Sequence, residues 1–216
     1  MPPIINRPIG TPKPIALFGG SFNPIHNGHL SIARAVAARV GVDRVVLLPS
    51  QSPPHKSAGS LVDAAHRLAM IQLAVEDDPI CSVHEWDLDR AGPTYTIETV
   101  DHFRRELGEQ REICWIIGAD SLAELHLWHR VAELVDRCRF LTAARPGSEV
   151  LDWEPLASLL SPPQLEKLKS GVLETPMVDI SATEIRRRVA AGASLEGLVP
   201  PGVAAYIADH GLYAGG

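Results

Sequence analysis

Residues 14–29 read Pro-Ile-Ala-Leu-Phe-Gly-Gly-Ser-Phe-Asn-Pro-Ile-His-Asn-Gly-His. Residues 14–20 are a short apolar run ending in two glycines, and residues 30–40 then place Ile32, Ala33, Val36, Ala37 and Val40 at helical spacing. The order is strand, loop, helix. A helix entered directly from a strand turns its unpaired N–H groups and the positive end of its dipole toward the loop, so an anion is the expected occupant. Gly19 and Gly20 let backbone approach that ligand closely, Pro24 stiffens the turn, and Gly28 leaves space between His26 and His29. The three-residue spacing can bring both imidazoles near one phosphate, where each can donate a hydrogen bond and a polyphosphate would favour the protonated ring. Taken singly, a glycine pair after a strand can be only a tight turn, and two nearby histidines only packing residues. The loop contains neither G-K-[ST] nor G-x-G-x-x-G, so P-loop hydrolysis and hydride transfer both lose their main support.

Beyond this unit the alternation continues. Strands are predicted over residues 44–49, 80–88, 113–118 and 139–144, and helices over 63–76 and 94–107, with one or two helical pieces over 121–135 broken near Trp128. Residues 146–176 read as an irregular connection without a clear strand, holding one helix around 163–169. A brief strand over 177–180 and helices over 183–191 and 202–210 follow, the last stopped by Gly211. Strands alternating with helices imply crossover connections and a doubly wound, mostly parallel sheet covered on both faces, a three-layer α/β/α arrangement. Ligands in such sheets sit beyond the carboxyl ends of the strands at the topological switch point. The loops expected to hold the ligand are therefore 19–28, 49–59, 88–96, 118–121, 144–148 and 179–183.

Composition narrows the function classes. With 216 residues, 45% hydrophobic and 21% charged, the chain can bury a core of its own, and residues 14–216 are expected to form one domain behind a flexible, proline-rich tail over 1–13. The net charge of −6 argues against capture of nucleic acid or anionic membrane through bulk charge. Any phosphate must be gripped locally. No apolar run approaches the roughly 18–20 residues of a membrane span, and the amino-terminal segment does not read as a signal peptide. Cys81, Cys114 and Cys138 are odd in number and lie inside apolar runs, which predicts buried reduced thiols and a cytoplasmic location.

The segment G-G-S-F-N-P-I-H-N-G-H over residues 19–29 resembles the first signature of the nucleotidyltransferase superfamily with the H-x-G-H motif. The segment Ile180-Ser181-Ala182-Thr183-Glu184-Ile185-Arg186 is similar to the family's second signature, I-S-S-T-x-I-R, with Ala182 in place of a serine. That departure removes a hydroxyl contact to phosphate and keeps the backbone N–H. Between the two, Pro53-Pro54-His55-Lys56, Gly92-Pro93-Thr94-Tyr95-Thr96-Ile97, Ile117-Gly118-Ala119-Asp120-Ser121 and Leu127-Trp128 resemble the bacterial nicotinate-mononucleotide adenylyltransferases. Phosphopantetheine adenylyltransferases share both signatures but lack the T-Y-T-I and Trp128 patterns.

The resemblance implies a Rossmann-like fold, transfer of the adenylyl group of ATP to nicotinate mononucleotide, and magnesium carried by the ATP phosphates, with no metal-ligating side chain assigned. It implies catalytic roles for His26, His29 and Arg186, and ATP contacts from Gly19, Gly20, Ser21, Phe22, Gly28, Ile180, Ser181 and Thr183. Contacts to the mononucleotide would come from Asn23, His55, Lys56, Tyr95, Thr96, Asp120, Trp128 and Arg145. Physical chemistry supports several of these independently. Trp128 could stack on a pyridinium ring. The helix beginning at residues 94–96 would prefer a carboxylate on that ring to a neutral carboxamide. Packing for Trp128, and helix capping for Thr94, Thr96 or Asp120, are the competing explanations. Nicotinamide mononucleotide and phosphopantetheine remain alternative acceptors, and assembly into a homo-oligomer is left open. Two readings of other classes are a metallohydrolase using His26, His29 and a carboxylate such as Asp120, and a nucleotide sensor without catalysis.

Overall fold

The computed structural model describes residues 12–51, 61–90, 92, 94–144, 152–175 and 178–215. Most of the expected tail therefore lies outside the described residues, while Lys13 and Pro14 accept hydrogen bonds from Arg111 and Asp43. Six strands, β1 (Ile15–Gly20), β2 (Arg44–Pro49), β3 (Cys81–Val83), β4 (Ile113–Gly118), β5 (Arg139–Ala144) and β6 (Val172–Glu174), form one sheet. Its order is β3-β2-β1-β4-β5-β6 and every pairing is parallel. The direction of winding reverses between β1 and β4, which pair with Phe18 opposite Ile116.

Helices cover both faces. Alternate residues of each central strand enter different cores: Ala16 and Phe18 of β1 with Cys114 and Ile116 of β4 on one side, Ile15 and Leu17 with Ile113, Trp115 and Ile117 on the other. Helices α1 (Asn27–Val40), α2 (Ala64–Val75), α8 (Ala182–Ala190) and α9 (Pro201–Asp209) close the first core through residues such as Val36, Met70, Ile185 and Val203. Helices α3 (Thr96–Leu107), α4 (Ala119–Ala123), α5 (Val131–Arg137), α6 (Glu154–Ala157) and α7 (Pro162–Lys169) close the second. Each fully buried Leu, Ile or Val side chain there contributes roughly 1.5–3 kcal/mol. The three cysteines are free and buried; burial pushes the Cys81 thiol up to about 12 and the Cys138 thiol up as well, so neither is a ready nucleophile.

Five elements differ from the sequence expectation, the first being the short helix α6, which stands beside the one helix expected in the 146–176 connection. Helix α1 begins at Asn27 rather than residue 30, because the Asn27 N–H and side chain are held by the carbonyls of Leu198 and Gly197 ahead of α9. Strand β3 stops at Val83 instead of running to 88: after His84 donates to the Leu47 carbonyl, the His84 ring accepts the Trp86 N–H and the chain turns. Strand β6 lies where no strand was expected; it is three residues long and pairs only with β5. Residues 178–180, expected as strand, have no regular structure, since β6 already occupies that edge, and Met177 lies outside the described residues.

Candidate active site

At the carboxyl edge of the sheet a cavity of about 470 Å3 opens where β1 and β4 diverge. Gly19, Gly20 and Ser21 form one wall, Gly118 and Ser121 another, and the start of α3 with Tyr95, Thr96, Trp128 and His129 the third. Gly19 has to be glycine: a Cβ there would stand 2.8 Å from the Trp115 ring. Trp128 keeps an edge-to-face contact with Phe140, with ring centres 6.2 Å apart, which fixes its plane at the cavity.

The imidazoles sit beside this wall. His26 caps α1 in an extended conformation and His29 is its third residue, so the rings stack with centres 3.6 Å apart and an interplanar angle of 24°. The His26 N–H donates to His29 Nδ1 at 3.3 Å, leaving the proton of a neutral His29 on Nε2. His26 is only 6% exposed and its Nδ1 has no hydrogen-bond partner; burial lowers its pKa from 6.5 to about 4. A buried polar atom without a partner is the kind of group a ligand satisfies. Gly28 must stay small, because a Cβ there would lie 3.0 Å from His26 Nδ1.

The carboxyl-terminal motif reaches the same loop. The Ser181 hydroxyl accepts the Glu184 N–H at 3.2 Å and caps α8. One turn on, Arg186 donates to the Asn23 carbonyl oxygen at 2.9 Å and to the Thr183 hydroxyl at 3.2 Å. The Ile180 carbonyl lies close to Gly28. Two segments far apart in sequence thus meet at the amino end of α1.

Other residues are placed differently from a simple contact role. Phe22 is buried in the first core at φ 43, with its ring 5.0 Å from that of His29, so its side chain is a packing group and not part of the cavity wall. Asn23 is 3% exposed and its side-chain oxygen accepts from the Tyr213 hydroxyl at 2.8 Å and the Val62 N–H at 3.3 Å, bonds that shape the loop. Asp120 is exposed on the first turn of α4 and is not part of the cavity wall, where Ser121 stands instead. His55, Lys56 and Arg145 lie outside the described residues.

Sequence reasoning missed several groups. Asp87 is buried in the cavity wall and accepts the Thr99 hydroxyl at 2.7 Å; burial raises its pKa against that bond and the nearby charges of Arg90 and His84. Glu98, on the first turn of α3, binds Arg90 at 2.7 Å, and this bond holds its carboxyl below the usual range. His129 stands 4.4 Å from Tyr95, ring to ring. Nothing in the sequence marked them, since each lay inside a predicted strand or helix.

The metallohydrolase arrangement of His26, His29 and Asp120 does not assemble. Among the described residues, the His, Cys, Asp and Glu side chains that bring three ligand atoms within 4.8 Å of one another are His84, His102 and Glu106. There the His84 Nδ1 already accepts the Trp86 N–H at 3.1 Å, which puts the proton of a neutral ring on Nε2.

The chain belongs to the cytidylyltransferase-like family, which it matches over residues 17–188. It is 42% identical over 210 residues to a "Probable nicotinate-nucleotide adenylyltransferase" of Yersinia pestis, covering 93% of this chain and 95% of that one. A protein of the same description from Neisseria meningitidis is also 42% identical, over 93% of this chain and 98% of its own. Among solved structures, the nicotinic acid mononucleotide adenylyltransferase of Plasmodium falciparum in complex with NaAD shares the fold, with a TM-score of 0.72, 19% identity, and coverage of 93% and 97%. No helix among the described residues is long and apolar enough to cross a membrane.

Proposed function

We propose that this chain transfers the adenylyl group of ATP to nicotinate mononucleotide, giving nicotinate adenine dinucleotide and pyrophosphate. The observation that carries the reading is the bond from Arg186 to the Asn23 carbonyl, which joins both motifs at the amino end of α1 beside the stacked imidazoles. The curated relatives described as nicotinate-nucleotide adenylyltransferases, alike over nearly the whole chain, support the same activity.

The incoming 5′-phosphate, with a second pKa of about 6, is largely ionised at neutral pH and needs no protein base. The chain's task is positioning and charge stabilisation. His29 donates through Nε2, and the triphosphate gives the buried His26 Nδ1 the partner it lacks, its negative charge favouring an imidazolium protonated from solvent. The Arg186 guanidinium forks onto the leaving phosphates. Trp128 takes the pyridinium face, and the amino end of α3 takes the ring carboxylate, which favours nicotinate over nicotinamide. Imidazoles, a guanidinium and backbone N–H groups are a poor donor set for magnesium, which prefers oxygen ligands, so the ion would travel on the ATP phosphates and neutralise part of their charge. A cytoplasmic setting fits the free thiols.

The test is pyrophosphate release from ATP with nicotinate mononucleotide and nicotinamide mononucleotide in parallel. Release with the nicotinate nucleotide in marked preference is expected. ATP binding without release for either would sink the reading in favour of a sensor.

A further inference from the structure

Arg67, on the first turn of α2, is 0% exposed, and its four described hydrogen bonds all end on backbone carbonyl oxygens. Nη1 donates to Ser21 at 2.9 Å and to Ser50 at 2.8 Å, Nη2 to Gln51 at 3.3 Å, and Nε to Val62 at 2.9 Å. Ser21 belongs to the loop after β1, Ser50 and Gln51 follow β2, and Val62 precedes α2. Ser21 and Ser50 both line the cavity. The two loops are stitched again by the Ser50 N–H and hydroxyl, which donate to the Gly20 carbonyl at 2.9 and 3.3 Å.

A guanidinium taken out of water and bonded only to carbonyl oxygens is costly: burial lowers its pKa, and the nearby Tyr213 and Asp63 offset only part of that. An apolar side chain here would leave those carbonyls without these donors, so the position serves the loops rather than the core. What the fork provides instead is geometry, because several N–H groups in one rigid plane set several carbonyls at once. A trans peptide whose carbonyl faces the guanidinium turns its N–H the other way, so Arg67 orients the N–H groups of Phe22 and Gln51. Phe22 is held at φ 43, a conformation a bulky residue keeps only when its surroundings impose it.

We infer that Arg67 is a positioning residue for adenylyl transfer: it sets Ser21, after β1, and Ser50 and Gln51, just after β2, in register, so that the phosphate of one nucleotide meets the α-phosphorus of the other. This rests on the adenylyl-transfer reading. Misalignment of reacting groups by about 1 Å can cost on the order of 100-fold in rate without weakening either substrate's binding. Loss of Arg67 should therefore act on kcat.

The experiment compares the wild type with Arg67→Lys and Arg67→Met by pyrophosphate release, by calorimetric Kd for ATP and for nicotinate mononucleotide, and by thermal unfolding. The expected result is a kcat lowered about 10- to 100-fold per folded molecule, Kd values within about threefold, and partial recovery by Lys over Met. Wild-type kcat per folded molecule would make Arg67 a scaffold residue and overturn the inference. A raised KM at unchanged kcat would overturn it too. A wild type that releases no pyrophosphate defeats the adenylyl-transfer reading itself, a failure seen before any variant is compared. If neither variant folds, Arg67→Gln, which keeps two N–H donors for these carbonyls, takes their place: a lowered kcat at unchanged Kd supports the inference, and a wild-type kcat, or failure of this variant to fold as well, overturns it in favour of a scaffold role.

Discussion

His26 illustrates how burial sets chemistry at single residues. Its ring is packed between His29 and Gly28, and its pKa is lowered to about 4 by burial. The unfolded chain, with an ordinary imidazole near 6.5, takes up the proton first on acidification. The stabilising contribution is therefore complete above about pH 6.5, declines as pH falls toward 4, and is fully lost below that, a change of about 3 kcal/mol at most. Urea unfolding at pH 7 and pH 4.5 should show the wild type losing more stability than His26→Asn; parallel profiles would contradict this. Trp128 is the second case. It lines the cavity while leaning on Phe140, so Trp128→Ala should weaken nicotinate mononucleotide by roughly 0.5–2 kcal/mol and leave ATP binding little changed. Calorimetry with each nucleotide separately decides between stacking and simple packing.

At the scale of elements, helix ends do the positioning. Helix α1 starts at Asn27, which places His26 and His29 on one turn and makes their rings stack; an entry at residue 30 would have left both in a loop. The histidines and glycines were legible in the sequence, but their stacking depends on bonds from Asn27 to the Gly197 and Leu198 carbonyls, far along the chain. Helix α8 depends on its cap. Removing the Ser181 hydroxyl should cost about 1 kcal/mol and fray the turn that carries Arg186 to Asn23. Ser181→Ala is accordingly expected to lower thermal stability by a few degrees and kcat/KM for ATP severalfold; a loss of stability alone would detach the cap from the site. Strand β6 shows the opposite limit: three residues cannot display a period, so only pairing with β5 reveals it as a strand.

For the whole molecule, β1 is the axis. It pairs on both sides, contributes to both cores and ends at the cavity. Leu17, 0% exposed between Val46 and Trp115, is therefore a position where truncation leaves a void in the middle of the sheet. Leu17→Ala should cost about 2–5 kcal/mol in urea unfolding, and a loss below 1 kcal/mol would mean the core there can collapse around the gap. The long-period features were readable from residue order: β1, β2, β4 and β5 fall on the predicted segments, because continuous apolar runs bounded by glycine, proline or polar residues have few other uses. The amino-acid sequence by itself determined the alternation of strand and helix, the anion-seeking loop and the two motifs, since these depend on neighbours within a few residues. Only the tertiary structure decided that Arg186 meets Asn23, that Asp87 and His129 wall the cavity, and that Arg67 ties two loops together. Those contacts join segments distant along the chain, and hydrogen bonds across such distances leave no periodic trace in the order of residues.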